Sequence, residues 1–291
     1  MINQMNANGH TKNQFFHALK ELQIAKLLHK SNITKSCGVS AYEVFQFLLL
    51  LIFQGKNLFR FLNSKHKEQA VSKNTYYRFL NEVSYNWRRF LMLLAVKVTS
   101  AFDRLTRPER VNVLILDDSV IKRNRSKNVK LLARVYDHVE HKFQKGFTLL
   151  TLGWSDGYSF VPTVFNLLSS ASESNRYNEV SDSIDHRTNG YKVRKASMMH
   201  KTDAAIQLIR KSSRLRHAFS SRRYCGFYIL RVPPEAVRFP VPVAQYVDMS
   251  FLFLYLKDLK SFMLVYANHV LTYLRTIINP NETARQNPGS H

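Results

Sequence analysis

Val111-Asn-Val-Leu-Ile-Leu116, followed at once by Asp117-Asp118-Ser119, is the stretch on which the fold turns. A short run rich in β-branched residues and ending on two carboxylates has the pattern of a buried strand with its tip at solvent. Upstream of it the period is helical. From Phe15 to Leu28 the apolar residues Phe15, Leu19, Leu22, Ile24, Leu27 and Leu28 recur at helical spacing. Ser40 with Glu43 three residues on predicts a capping box. The helix it opens runs through Phe53 and is apolar nearly all round, so it belongs in a core. Shorter helices are expected over 57–64, 72–82 and 84–105, up to Thr106-Arg107-Pro108. Residues 13–107 therefore read as an all-helical domain, and the polar stretch 1–12 as a disordered tail.

Downstream, Phe147–Trp154 is a second strand, Ser155-Asp156-Gly157 a turn signal, and Tyr158–Phe165 the hairpin partner. The polar segment 169–196 reads as loop, and 198–211 as a helix. Strand, hairpin and helix in that order define an α/β or α+β domain over 108–212. The pattern breaks after Ser212. Six of the eight prolines lie beyond it, against only four acids, Glu235, Asp248, Asp258 and Glu282. Residues 213–245 carry no amphipathic pattern, 247–278 are apolar and aromatic without clear caps, and the last residues look unfolded. We expect 213–291 to be an aberrant, poorly folded segment.

The charge balance narrows the partners. Against 43 Lys and Arg stand 20 Asp and Glu, a net charge of +23. Such a surplus attracts polyanions over long range. Nucleic acid is the natural one, because each neutralised phosphate releases a counterion; an anionic membrane surface is the rival. The longest apolar run, Phe47–Phe53, is far shorter than the roughly 20 residues of a membrane span. Two distant cysteines, Cys37 and Cys225, give neither a disulfide framework nor a zinc pattern. The N-terminus lacks a signal-type apolar core. These features predict a soluble, cytoplasmic, nucleoid-associated protein.

Several residue groups could carry chemistry. Asp117 and Asp118 at a strand tip suit Mg²⁺, a hard cation that takes oxygen ligands; alternatively they cap a turn or pair with Lys122. The basic run Lys122, Arg123, Arg125, Lys127, Lys130 and Arg134 suits a phosphodiester chain, or is a solvated loop. Lys73, Asn74, Tyr76 and Arg78 lie on one predicted helix flanked by Lys65 and Lys67, the mix a recognition helix uses in a major groove. The plain alternative packs Tyr77 and Leu80 inward. Asp137-His138-Val139-Glu140-His141 has no standard zinc spacing, so a polar hairpin or loop is the better reading. Asp118-Ser119 is not set in a Gly-x-Ser-x-Gly elbow, and no glycine-rich phosphate cradle occurs.

Taken together, QGKNLFRFLNSK (54–65), VSKNTYYRFLN (71–81), YNWRRFL (85–91), LILDDSVIKRNRSKNVKLLARVYDH (114–138), KFQKGFTLLTLGWSDGYSFVP (142–162) and SMMHKTDAAIQLIRK (197–211) resemble bacterial DDE transposases of the insertion sequence 4 family. The resemblance covers somewhat more than half the chain. It implies a helical DNA-binding region followed by a ribonuclease-H-like domain. It also implies a three-carboxylate Mg²⁺ site that nicks transposon ends and joins them to target DNA. Asp118 matches the first catalytic aspartate, with Asp117 as the alternate. The resemblance implies a fourth strand beginning near residue 220 and ending in the second aspartate. The stretch RLRHAFSSRRYCGFYILRVPPEAVRFPVPV (214–243) contains none, and the later Tyr-Arg-Glu signature is missing. Asp248 and Glu282 sit too far downstream and in too poor a helix context to replace them. The expected domain is therefore only partly ribonuclease-H-like. Expected partners are double-stranded DNA, as insertion-sequence ends and target, and a second copy of the chain in a homodimer; no membrane is expected.

Overall fold

The computed structural model describes residues 15–64, 71–105, 113–156, 159–180, 183–213 and 226–229. The tail 1–12, Lys65, Lys67, the 106–108 turn, Cys225, Asp248, Glu282 and nearly all of 213–291 lie outside these residues.

The N-terminal half is helical: α1 (15–21), α2 (Ile24–Lys30), α3 (Ala41–Phe53), α4 (Leu58–Leu62), α5 (Lys73–Asn81) and α6 (Trp87–Leu105). The single helix expected over Phe15–Leu28 is in fact two, broken at Gln23, which adopts φ 51°. The reason lies in the spacing. Leu22 and Ile24 are two apart and would point to opposite sides of one helix; the break lets both be buried. At α3 the capping box forms as the sequence requires. Ser40 Oγ accepts from the Glu43 amide and the Glu43 carboxylate accepts from the Ser40 amide, each at 3.2 Å. Aromatic rings fill the space between helices. Phe45 meets Phe90 edge-on at 5.3 Å, and Phe79, Tyr85 and Trp87 pack mutually edge-on.

The second half is built on one five-stranded sheet. Its strands are β1 (Val113–Lys122), β2 (Ala133–Asp137), β3 (Lys142–Ser155), β4 (Phe160–Leu168) and β5 (Gly226–Ile229). β3 is the spine. It pairs antiparallel with β1 over 146–155, and its other edge pairs with β2 over 142–146 and with β4 over 148–155. β5 lies parallel to β1, Val113 opposite Gly226 through Leu116 opposite Ile229. Gly146 is needed where β1 and β3 come close: a β-carbon there would fall 2.1 Å from the Ile121 carbonyl oxygen. Two helices follow β4, α7 (Asn189–Ser197) and α8 (Lys201–Ser213).

The expected fold class holds: a helical N-terminal region is followed by an α/β domain that is partly ribonuclease-H-like. Three local expectations are corrected. β1 does not stop at Leu116 but runs on to Lys122, because β3 offers hydrogen-bonded partners along its whole length. The end of the basic run opens a strand, β2, and the segment expected as loop over 169–196 contains most of α7.

One hydrophobic core runs through both halves. Trp154 on β3 stacks on Phe102 of α6, with centroids 6.2 Å apart and planes 5° from parallel. Asn166 of β4 is fully buried and works as a polar staple. Its side-chain amide donates to the Ala196 carbonyl at the end of α7, and its carbonyl accepts from Arg88 of α6 at 2.7 Å. A buried amide satisfied on both sides fixes how helices sit on the sheet. No described helix is long and apolar enough to cross a membrane.

Candidate active site and nucleic-acid interface

Asp117 and Asp118 stand in the middle of β1, not at its tip as the sequence suggested. They directly follow Leu116, which pairs with Ile229, the last described residue of β5. Along β1 side chains alternate between faces, and Asp118 shares its face with the buried Leu114 and Leu116. Asp117 points to the other face. The two adjacent acids therefore cannot act as one side-by-side pair.

Asp118 does not stand alone. Lys201, the first residue of α8, places its Nζ 2.7 Å from Asp118 Oδ2. Lys201 was not singled out from the sequence, although it lies within SMMHKTDAAIQLIRK; nothing local tells that the head of α8 folds back over the middle of β1. Beside the pair is a pocket of about 300 Å³ lined by Thr148, Leu168, Ser169, Met199, His200 and Lys201, among others. Hydroxyls, an imidazole and an ammonium together make a lining suited to a phosphodiester oxygen.

The described acids do not fit a resident metal centre. No group of three or more His, Cys, Asp or Glu side chains converges among the described residues. Asp118, which matches the expected first ligand, is paired with an ammonium at contact distance. The chain after Ile229 continues Leu230-Arg231-Val232-Pro233-Pro234, with no acid before Glu235. Asp137, His138, Glu140 and His141 belong to the β2–β3 hairpin, as the polar-hairpin reading expected, and the two acids among them hold an ion-pair network. Lys122 Nζ lies 3.0 Å from Asp137 Oδ2 and also donates to Glu140, which pairs in turn with Lys142 at 2.7 Å.

Burial works to raise the Asp137 carboxyl. The Lys122 ammonium and the amides of Val139 and Glu140 outweigh it and hold the group below the usual carboxylate range. A depressed carboxylate stabilises the fold above its unfolded pKa, and that contribution is lost as pH falls through the folded value. Lys122→Met removes the cation that opposes burial, so Asp137 titrates higher. Acid unfolding, followed by tryptophan fluorescence, should then begin at a higher pH than in the unsubstituted chain. An unchanged acid limb would show that the pair does not govern it.

The expected DNA contacts separate into three kinds. Lys122 is engaged in ion pairs with Asp137 and Glu140, so the expectation that it faces DNA is corrected to a role inside the hairpin. Arg123 is half-buried, and burial lowers its guanidinium pKa. Arg125 and Lys127 are exposed. On α5, Lys73, Asn74 and Arg78 are exposed on one side, with Lys73 Nζ 5.7 Å from the Tyr77 ring centroid. Tyr76 is the second correction. It is 1% exposed and stacks on Phe47 at 4.9 Å, so it anchors α5 to α3 and cannot reach a groove. The helix is phased with Tyr76 and Phe79 innermost, while Tyr77 and Leu80 pack partly against the core.

With this geometry in place, the comparison with known families is informative. The family model described as DDE superfamily endonuclease matches residues 47–221. No curated protein and no solved structure matches the chain. The match covers more than half of the sequence, from inside α3 to beyond α8. The chain belongs to the DDE superfamily endonucleases, a family whose substrate is DNA and whose nucleases generally use divalent metal ions.

Proposed function

We propose that this chain is a DNA-binding protein of the insertion sequence 4 transposase type whose nicking and strand-transfer activity is lost. In a complete site of that kind, Mg²⁺ held by three carboxylates would activate the attacking oxygen and stabilise the leaving one. The observation that carries the reading is the contact between Lys201 and Asp118: the one acid that matches the first catalytic aspartate is held by a cation, and the β5 segment brings no second acid to it. Asp117 and Asp118 are the only catalytic acids assigned, and they are too few to hold two ions.

Duplex binding draws on Lys73, Asn74 and Arg78 of α5 and on Arg125 and Lys127 after β1. Residues 13–107 then form the DNA-binding domain and 108–212 the surviving part of the catalytic one. The change in character after Ser212 is read as a loss of reading frame near Ser212–Arg214. Its mark would be another frame of the encoding DNA that restores an aspartate-ending strand. Such a protein would sit on insertion-sequence ends in the cytoplasm, as a nucleoid-associated homodimer that blocks an active transposase.

Asp118→Asn separates a binder from an enzyme, because it abolishes strand transfer in an enzyme and spares the duplex binding of a binder. It frees the Lys201 charge and leaves the α5 surface intact, so duplex affinity measured by fluorescence anisotropy should be unchanged or slightly raised. A clear loss of affinity would contradict the proposal.

A further inference from the structure

The β2–β3 hairpin has two unlike faces. Ala133, Val135 and Gln144 are buried on one. On the other, Arg134 stands opposite Lys145 and Tyr136 opposite Phe143. Phe143 is 55% exposed and Tyr136 39%. Tyr177, 53% exposed, extends the same face, since its neighbour Arg176 bridges to Ala133 at the edge of β2. Apolar residues scattered singly over a surface need no explanation. Three rings gathered on one strand face, with cations laid over two of them, do.

The Arg134 guanidinium is 3.9 Å from the Phe143 ring centroid, and Lys145 Nζ is 4.5 Å from that of Tyr177. Tyr136 meets Phe143 edge-on at 5.2 Å. Glu140, in the turn of the hairpin, is taken by Lys122 and Lys142. Arg134 and Lys145 make no ion pair among the described residues. Exposed rings interleaved with cations that make no ion pair among the described residues suit one class of ligand. Unstacked bases lie on the rings while the backbone phosphates meet the cations. A duplex hides its base faces and cannot use the rings.

We propose that the exposed face formed by Arg134, Tyr136, Phe143, Lys145 and Tyr177 binds the unpaired bases of single-stranded DNA. This surface is separate from α5, and its binding is read independently of the duplex affinity proposed above.

The test uses the full chain and labelled strands of about twelve nucleotides: oligothymidine, an abasic strand with the same backbone, oligouridine, and a duplex of the same length. Phe143→Leu keeps the apolar volume and removes the ring. It should weaken oligothymidine binding about tenfold and leave duplex binding unchanged. Phe143→Trp should keep or strengthen it. Circular dichroism checks that both variants fold, as an exposed position allows.

Equal affinity for the abasic strand and oligothymidine would overturn the proposal. So would an unchanged affinity in Phe143→Leu, or a marked preference for oligouridine, which would assign the face to RNA. A self-association lost in Phe143→Leu with nucleic-acid binding intact would give the face to a second copy of the chain. If duplex binding is absent while the ring dependence stands, the reading of α5 fails and this one survives.

Discussion

Raising monovalent salt from about 50 mM to about 200 mM weakens binding of this chain to duplex DNA by about a thousandfold or more. The argument is one of counting. Each phosphate neutralised by Lys or Arg releases a condensed counterion, and the logarithm of affinity falls by about 0.9 per contact for each decade of salt. A net charge of +23 supplies far more cations than one site can use. Lys73, Arg78, Arg125 and Lys127 are all exposed, and with neighbouring cations about six contacts are within reach of one site. Lys122 is not counted, because Asp137 and Glu140 already hold it. An affinity indifferent to salt, or a preference for anionic vesicles over DNA, would remove the basis for the α5 surface.

Trp154→Ala should cost about 3–5 kcal/mol of folding stability, read as a fall in the urea midpoint. Trp154 is 1% exposed, and its ring lies flat on Phe102. Among the described residues it is the largest fully buried side chain, and it sits where the last helix of the N-terminal region meets the sheet. Removing it leaves a cavity bounded by rigid elements from both halves, which cannot easily close. A domain of ordinary stability, about 5–15 kcal/mol, would lose a large share of it. A loss under about 1 kcal/mol would mean that the helices are only loosely seated on the sheet, in conflict with a single continuous core.

Much of this arrangement is legible in the sequence, and the limits are physical. Ser40 and Glu43 announce the start of α3 because a capping box is wholly local. The apolar run before Asp117 announces β1, and the β3–β4 hairpin and α8 follow from periodicity and turn residues. The far end of β1 was missed because Asp117, Asp118 and Ser119 are poor strand formers; pairing with β3 overrides that preference. β2 was missed because Arg134 and Tyr136 alternate with Ala133 and Val135 on so short a strand that the surrounding charges mask the period. In α5 the mix of basic, amide and aromatic residues spoke for a DNA face, but not for which tyrosine turns inward. The contact that most alters the reading of the site, Lys201 on Asp118, joins positions far apart in the chain and leaves no local sign. Conversely, the absence of an aspartate from 214–243 is visible in the sequence alone, and β5, which falls in that stretch, lies beside β1.

The most direct measurement is strand transfer itself. The purified full chain is incubated with Mg²⁺, duplexes carrying insertion-sequence ends and a supercoiled target plasmid, and nicked and joined products are resolved on a gel. A protein whose described residues offer this site only Asp117 and Asp118, with Lys201 on the latter, should bind the ends and give no joined product at any Mg²⁺ concentration. Efficient Mg²⁺-dependent joining, abolished by Asp118→Asn, would contradict it and would mean that further carboxylates complete the site.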